Sequence, residues 1–96
     1  MAELMMSEQD IVNAICIDHS QKHKIPPEEI EVELVYDDDE GFFAELEYNG
    51  QKQVLGSFDI IQAIRYWIEE VLNGDPYAAG VNLLLDRDEG IIATIQ

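Results

Sequence analysis

The chain has 96 residues, and its 21 acidic side chains outnumber its 5 Lys and Arg, which gives a formal net charge of −16 at pH 7. A chain of this length has room for a single domain with a modest core. Its negative charge repels nucleic-acid phosphates and anionic membrane surfaces, so we expect neither as a partner. The same charge favours solubility or a basic protein partner.

Three features of the sequence predict a cytoplasmic protein. Cys16 is the single cysteine, which excludes an internal disulfide. The first residues lack the basic and long apolar regions of a signal peptide. No apolar run approaches the roughly 18 residues of a membrane-spanning helix.

The first predicted elements are a short strand and a helix. Residues 4–6 form a short apolar run typical of a strand, and the helix begins at Ser7, with Asp10 three residues later as in a capping box. The buried stripe of this helix consists of Ile11, Val12, Ala14, Ile15 and Cys16. Its second half is polar, and Pro26 and Pro27 end it because the residue before a proline avoids helical geometry.

A change of the hydrophobic period to two predicts the strands that follow. Residues 30–36 indicate a half-buried strand, residues 37–41 an acidic turn, and residues 42–48 the return strand. Asn49-Gly50 then predicts a two-residue hairpin that leads into the next strand.

The central helix is predicted over residues 57–73. Its apolar side chains recur at the spacing that places them on one side of a helix: Ile60, Ile61, Ile64, Trp67, Ile68, Val71 and Leu72. Ser57 is the expected N-cap, and Gly74 is the residue expected to end the helix. Residues 81–95 then predict a second hairpin with its own acidic turn.

The two halves of the sequence match at a constant offset. Residues 10–15 match residues 59–64, which is an offset of 59 − 10 = 49, and the same offset aligns other residues without a gap. These other matches are Pro27 with Pro76, Val32 with Val81, Leu34 with Leu83, Asp37 with Asp86, Asp39 with Asp88, Glu40 with Glu89, Gly41 with Gly90 and Ala44 with Ala93. We interpret the chain as two copies of one unit, residues 1–49 and 50–96. The alternative is that helices and hairpins of similar composition merely look alike.

The order strand-helix-strand-strand, repeated twice, predicts an α+β fold. We expect two tandem βαββ units in a single domain over residues 1–96, because neither half is long enough to bury a core alone. The simplest packing of this order is one largely antiparallel sheet shared by both units, with both helices on one face.

The face of that sheet turned away from the helices carries an unexpected set of apolar side chains. They are Val35, Phe43, Val54, Leu84 and Ile92. Four glutamates occupy the far end of the same face: Glu31, Glu33, Glu45 and Glu47. An apolar patch with an acidic rim predicts an interface, either with a second copy of the chain or with a basic protein. The alternative is a surface that tolerates scattered apolar residues.

Three potential metal ligands share one face of the first helix. Cys16, His19 and His23 have the helical spacing of a zinc site, but no fourth ligand is visible. In the second half of the chain, Ile68 and Leu72 occupy the positions of the two histidines. We favour the interpretation that Cys16 is a small buried residue and that the histidines suit a basic helix end, so no metal or cofactor is expected.

The acidic turns and the rest of the sequence give no positive support for an enzyme. Each turn reads Asp-x-Asp-Glu-Gly, but neither has the further ligands or the flanking helices of a calcium loop, so we interpret both as tight turns. No nucleophile elbow, phosphate-binding loop or metalloprotease helix is present.

The chain resembles a family of short acidic proteins of unknown function from Bacillus and related Firmicutes. The resemblance is carried by residues 27–34 (PEEIEVEL), 36–39 (YDDD), 49–50 (NG) and 63–67 (AIRYW). It extends over nearly the whole chain and implies a bacterial cytoplasmic origin, but no catalytic or binding residues. The net charge and the second apolar face predict a small acidic interaction module that forms a homodimer and docks a basic protein. The alternative is a protein that binds zinc or another divalent metal, or a small enzyme.

Overall fold

The computed structural model describes residues 4–71, 73–74 and 80–95. These residues form two α-helices and six strands, so the predicted α+β class is confirmed. The helices are α1 (Glu8–His23) and α2 (Ser57–Glu70), and a short 3-10 helix covers Pro27–Glu29. The strands are β1 (Leu4–Met6), β2 (Glu31–Asp37), β3 (Gly41–Tyr48), β4 (Gln51–Gly56), β5 (Val81–Asp86) and β6 (Gly90–Ile95).

Helix α1 begins with the predicted capping box. The Ser7 hydroxyl accepts a hydrogen bond from the Asp10 amide at 3.1 Å, and the Asp10 carboxylate accepts one from the Ser7 amide at 3.3 Å. The helix ends before the prolines, and its C-cap is Lys24, which takes the left-handed conformation with φ 56° and donates its amide to the Ser20 carbonyl. The left-handed backbone of Lys24 therefore ends the helix, and the prolines follow that end.

Helix α2 differs from the prediction at both ends. Gly56, not Ser57, is the N-cap, and no side chain among the described residues caps the helix there. The helix ends at Glu70, and the left-handed residue beyond it is Asn73, with φ 56°. Gly74 has a different role, because a Cβ atom at this position would lie 3.1 Å from the Ile68 side chain.

The strands form two three-stranded antiparallel sheets, in the orders β1-β6-β5 and β2-β3-β4, in place of the single shared sheet that was expected. Each hairpin takes its third strand from the other half of the chain. The expected continuous sheet is thus divided in two. The edge strand β2 carries Glu31 and Glu33, and charged edge strands resist pairing with a further strand.

The strand registers repeat at the offset found in the sequence. In one sheet Ala44 lies between Leu34 and Leu55, and in the other sheet Ala93 lies between Leu83 and Met6. The positions are equivalent because 34 + 49 = 83, 44 + 49 = 93 and 6 + 49 = 55. This repetition supports two copies of one unit, which remains our interpretation.

The core lies where the two helices meet both sheets. Helices α1 and α2 pack on each other, α1 contacts β2 and β6, and α2 contacts β3, β4 and β5. The largest fully buried side chains come from both halves: Met6, Ile11, Ile15, Leu46, Ile60 and Ile64. The described core therefore draws on both halves of the chain.

Candidate functional site

Four glutamates of β2 and β3 form an array on the outer surface of the sheet β2-β3-β4. Glu31 pairs with Glu47, and Glu33 pairs with Glu45, across the two strands. Their side chains share one face because alternate residues of a strand point the same way. Like charges that face each other directly across a sheet are destabilising. We call these four residues, together with Val54, the acidic face.

Strand β4, at the edge of the sheet, supplies an apolar side chain and the counter-charge of the acidic face. Val54 lies opposite Glu45 and is 63% exposed. Lys52 lies opposite Glu47, and its Nζ is 3.9 Å from a Glu47 carboxylate oxygen. Both side chains of this ion pair are exposed to water, so the pair contributes little stability. A groove of about 540 Å³ runs over the acidic face, with Val54 at its apolar part.

The five predicted interface residues are divided between the two sheets. Val35 pairs with Phe43 on the sheet β2-β3-β4, where both are half-buried, and Leu84 pairs with Ile92 on the other sheet. Leu84 is 46% exposed, whereas Ile92 is only 7% exposed. Ile92 therefore offers almost no surface to a partner, and this part of the expected patch is corrected.

A second candidate site is built around two histidines of α1. His19 and His23 are one helical turn apart, and their ring centroids are separated by 4.3 Å. Tyr48 of β3 lies beside them, with its ring centroid 5.4 Å from that of His19 and 5.9 Å from that of His23. His19 is buried and His23 is exposed.

The environment of His19 is unusual for a polar side chain. Its Nε2 atom is buried and has no hydrogen-bond partner among the described residues. Burial is the main cause that lowers the pKa of His19, with a smaller contribution from His23, while a side-chain hydrogen bond with Gln53 and the charge of Asp18 raise it. A buried polar atom without a partner costs about 1–3 kcal/mol of stability.

The two histidines line a groove of about 660 Å³ between α1, β4 and the start of α2. The groove is lined by His19, Lys22, His23, Gln53, Leu55, Phe58, Asp59 and Gln62, which we call the histidine groove. The Lys22 ammonium lies 3.1 Å from the carboxylate of Asp18, so its charge is balanced within α1. Phe58 is 70% exposed, which makes an aromatic ring available at the rim.

Sequence reasoning missed the residues of β4 and α2 in this groove. Gln53, Asp59 and Gln62 have no periodicity or motif that connects them with the histidines. The one available signal was the comparison of the two halves, in which His19 replaces an isoleucine.

Cys16 is not part of the histidine groove. Its thiol donates a long hydrogen bond of 3.8 Å to the Ile30 carbonyl, and burial raises the pKa of Cys16. Within residues 4–71, 73–74 and 80–95, no three His, Cys, Asp or Glu side chains are arranged to hold a metal ion. The structure thus brings together His19 and His23 but not the third predicted ligand.

The acidic turns use their carboxylates to hold the backbone. The Asp37 carboxylate accepts hydrogen bonds from the amides of Asp39 and Glu40 at 2.7 and 3.1 Å. The Asp86 carboxylate does the same for the amides of Asp88 and Glu89 at 3.1 and 2.8 Å. The interpretation of both segments as tight turns is confirmed.

Comparison with known proteins gives a family but no activity. A family described as "Protein of unknown function (DUF2653)" matches residues 1–88. The chain belongs to this family. A relative in Bacillus subtilis strain 168, described as "Uncharacterized protein YxcD", is 38% identical over 93 residues, which cover 96% of this chain and 91% of the relative. No solved structure matches the chain significantly.

The resemblance to a family of unknown function from Bacillus and its relatives is thereby confirmed. In this DUF2653 protein, no helix among the described residues is long and apolar enough to cross a membrane. The chemistry of its two sites differs. The carboxylates of the acidic face can accept hydrogen bonds from Lys and Arg, whereas the imidazoles of the histidine groove can donate a lone pair to a metal.

Proposed function

We propose that this chain is a small acidic interaction module that docks a basic, extended segment of a protein partner on the acidic face. The observation that carries the proposal is the placement of Glu31 opposite Glu47 and of Glu33 opposite Glu45. Each pair of carboxylates lowers the stability of the isolated fold, and Lys or Arg side chains of a partner would remove that repulsion.

The residues around the four glutamates also support a basic, extended segment as the ligand. Val54, on the edge strand β4 beside Glu45, is exposed and gives apolar contact in the groove. Lys52 is the basic residue that lines this groove, and its ion pair with Glu47 is exposed. Protein interfaces combine apolar contacts with charged and polar groups. Attraction between exposed charges is screened by salt, so binding to this surface is sensitive to ionic strength.

Formation of a homodimer through the outer sheet faces is a second candidate function. It is favoured by the exposure of Val54 and Leu84, two apolar side chains that point away from the helices. The glutamates oppose it, because two identical acidic faces repel each other. For this reason we rank a basic partner before a second copy.

The proposal is tested by fluorescence anisotropy with a labelled peptide of alternating lysine and valine. We expect the wild type to bind this peptide more weakly as salt increases, and not to bind a matching peptide of glutamate and valine. The double variant Glu33→Gln/Glu45→Gln should weaken binding by at least about tenfold, because each lost charge-assisted hydrogen bond contributes about 1.5–3 kcal/mol.

The matched control is Asp38→Asn/Glu89→Gln, which removes the same charge from exposed positions in the two acidic turns. This control should bind the peptide almost as well as the wild type. Equal weakening in both double variants would show that net charge, and not the acidic face, attracts the peptide.

A further inference from the structure

His19 occupies a position where the equivalent residue of the other half is apolar. The offset of 49 places it at Ile68, since 19 + 49 = 68, and each of the two residues is 4% exposed. Isoleucine fills such a position without a polar cost, whereas the Nε2 atom of His19 is buried without a partner. A buried polar group that lacks a hydrogen bond requires an explanation other than packing.

We propose that His19 and His23 together bind a divalent transition metal ion of the zinc type. Two histidines at i and i+4 present their rings on the same side of a helix, which is the arrangement that metal-binding helices use. The ring centroids are 4.3 Å apart, so the two imidazoles are close enough to share a single ion. Imidazole nitrogen suits zinc, copper, nickel and iron, and does not suit calcium or magnesium.

The histidine groove provides space for such an ion. His19 and His23 both line it, and its volume of about 660 Å³ admits water molecules that would complete the coordination. The nearby Lys22 is held by Asp18 at 3.1 Å, which reduces its repulsion of a cation. The net charge of −16 attracts cations to the whole molecule.

Cys16 is excluded from this site. Its sulfur contacts the Ile30 carbonyl, and the described residues contain no set of three potential ligands around the histidines. The proposed site therefore has two protein ligands and open positions, unlike a structural zinc site, which has four protein ligands. A thiolate is not a ligand in this arrangement.

The test is calorimetric titration of the full-length, tag-free protein with zinc chloride. We expect the wild type to bind one ion per chain. The variants His23→Ala and His19→Ile should each weaken binding by at least about tenfold, since changes even outside the direct ligands reduce metal affinity by about 10–100-fold. Cys16→Ser should bind zinc as the wild type does. Circular dichroism of each variant shows whether it is folded.

His23→Ala is the decisive variant because His23 is exposed and its loss leaves the core intact. The proposal is overturned if the wild type binds no zinc, if His23→Ala binds it as tightly as the wild type, or if Cys16→Ser loses binding. Cobalt substitution gives an independent measurement, since a thiolate ligand produces a near-ultraviolet charge-transfer band that a two-histidine site lacks. Such a band would also overturn the assignment.

Peptide binding to the acidic face should be unchanged in His23→Ala. The proposed metal site and the proposed interaction surface can therefore be contradicted independently of each other.

Discussion

At the scale of single residues, His19 is the clearest case of a side chain whose polar chemistry lowers the stability of the fold. The residue is buried beside Tyr48 and His23, and one of its ring nitrogens is unsatisfied. Its pKa is lowered chiefly by burial, so the folded protein holds the neutral imidazole at pH 7. The energetic consequences can be measured without any ligand.

We predict that His19 makes the stability of the fold depend on pH between 7.5 and 5.5. The folded pKa lies below the unfolded value of 6.5, so the unfolded chain binds a proton first as the pH falls. The contribution of His19 is complete above the unfolded pKa and is lost as the pH falls through the folded pKa. Urea denaturation of the wild type and of His19→Ile at both pH values measures this difference.

The His19→Ile variant should be more stable than the wild type by about 1–3 kcal/mol at pH 7.5, since it removes the unsatisfied nitrogen. Its advantage should increase at pH 5.5. The two proteins differ at this one position, so the comparison assigns the difference in pH dependence to His19. An advantage that stays constant or shrinks as the pH falls would contradict the prediction.

At the scale of the elements, the two helices begin in the same backbone geometry with different caps. Ser7 has φ −72° and ψ 169°, and Gly56 has φ −76° and ψ 177°. The offset of 49 relates these two positions, and it also relates Asp10 to Asp59. Helix α2 therefore has the N-cap backbone conformation and the acidic residue of a capping box, but its N-cap residue, Gly56, has no hydroxyl group.

We predict that Gly56→Ser stabilises the protein by about 0.5–1 kcal/mol, because it adds a cap and reduces the freedom of the unfolded chain. The substitution is sterically allowed, since no described atom lies within 4 Å of a Cβ at this position. Urea denaturation measures the gain. Gly56→Ala is the matched control, as it restricts the unfolded chain equally but cannot cap, and a serine variant no more stable than the alanine variant would rule out the cap.

At the scale of the whole molecule, the net charge opposes self-association and the exposed apolar surface favours it. The net charge of −16 drives copies apart, while Val54 and Leu84 expose apolar area on the sheets. Burial of each large apolar side chain contributes about 1.5–3 kcal/mol to association, which the loss of translational freedom and the charge repulsion reduce. Salt determines the balance, because the screening length falls from about 10 Å at 0.1 M to about 3 Å at 1 M.

The homodimer, our second candidate function, predicts that the protein self-associates through its outer sheet faces and that the dimer becomes tighter as salt increases. Sedimentation velocity at about 0.1 M and about 1 M salt measures the strength of dimerisation. These two concentrations correspond to the screening lengths given above. Phe43→Glu should remain monomeric at both. Phe58→Glu is the control, since it makes the same change in α2, outside the sheets. A wild type that stays monomeric at high concentration, or a Phe43→Glu variant that dimerises like its parent, would contradict the prediction.

Features that depend on residues close together in the chain were determined by the sequence. The capping box of α1 and the acidic turns agree with prediction because their hydrogen bonds join residues two or three positions apart. The hairpin at residues 49–50 follows from the same logic, with φ of 52° at Asn49 and 74° at Gly50. The family resemblance also came from short segments.

The pairing of strands and the burial of side chains were decided only by the tertiary structure. The sequence predicted six strands but not that β1 joins β6, about 90 residues away along the chain, or that two sheets form. The outward position of Ile92 was predictable from alternation, but its burial depends on its neighbours in space. The same holds for the histidine groove, in which β4 and α2 meet α1. Periodicity indicates which face of an element is apolar, whereas the choice of the surface that covers it depends on contacts between distant residues.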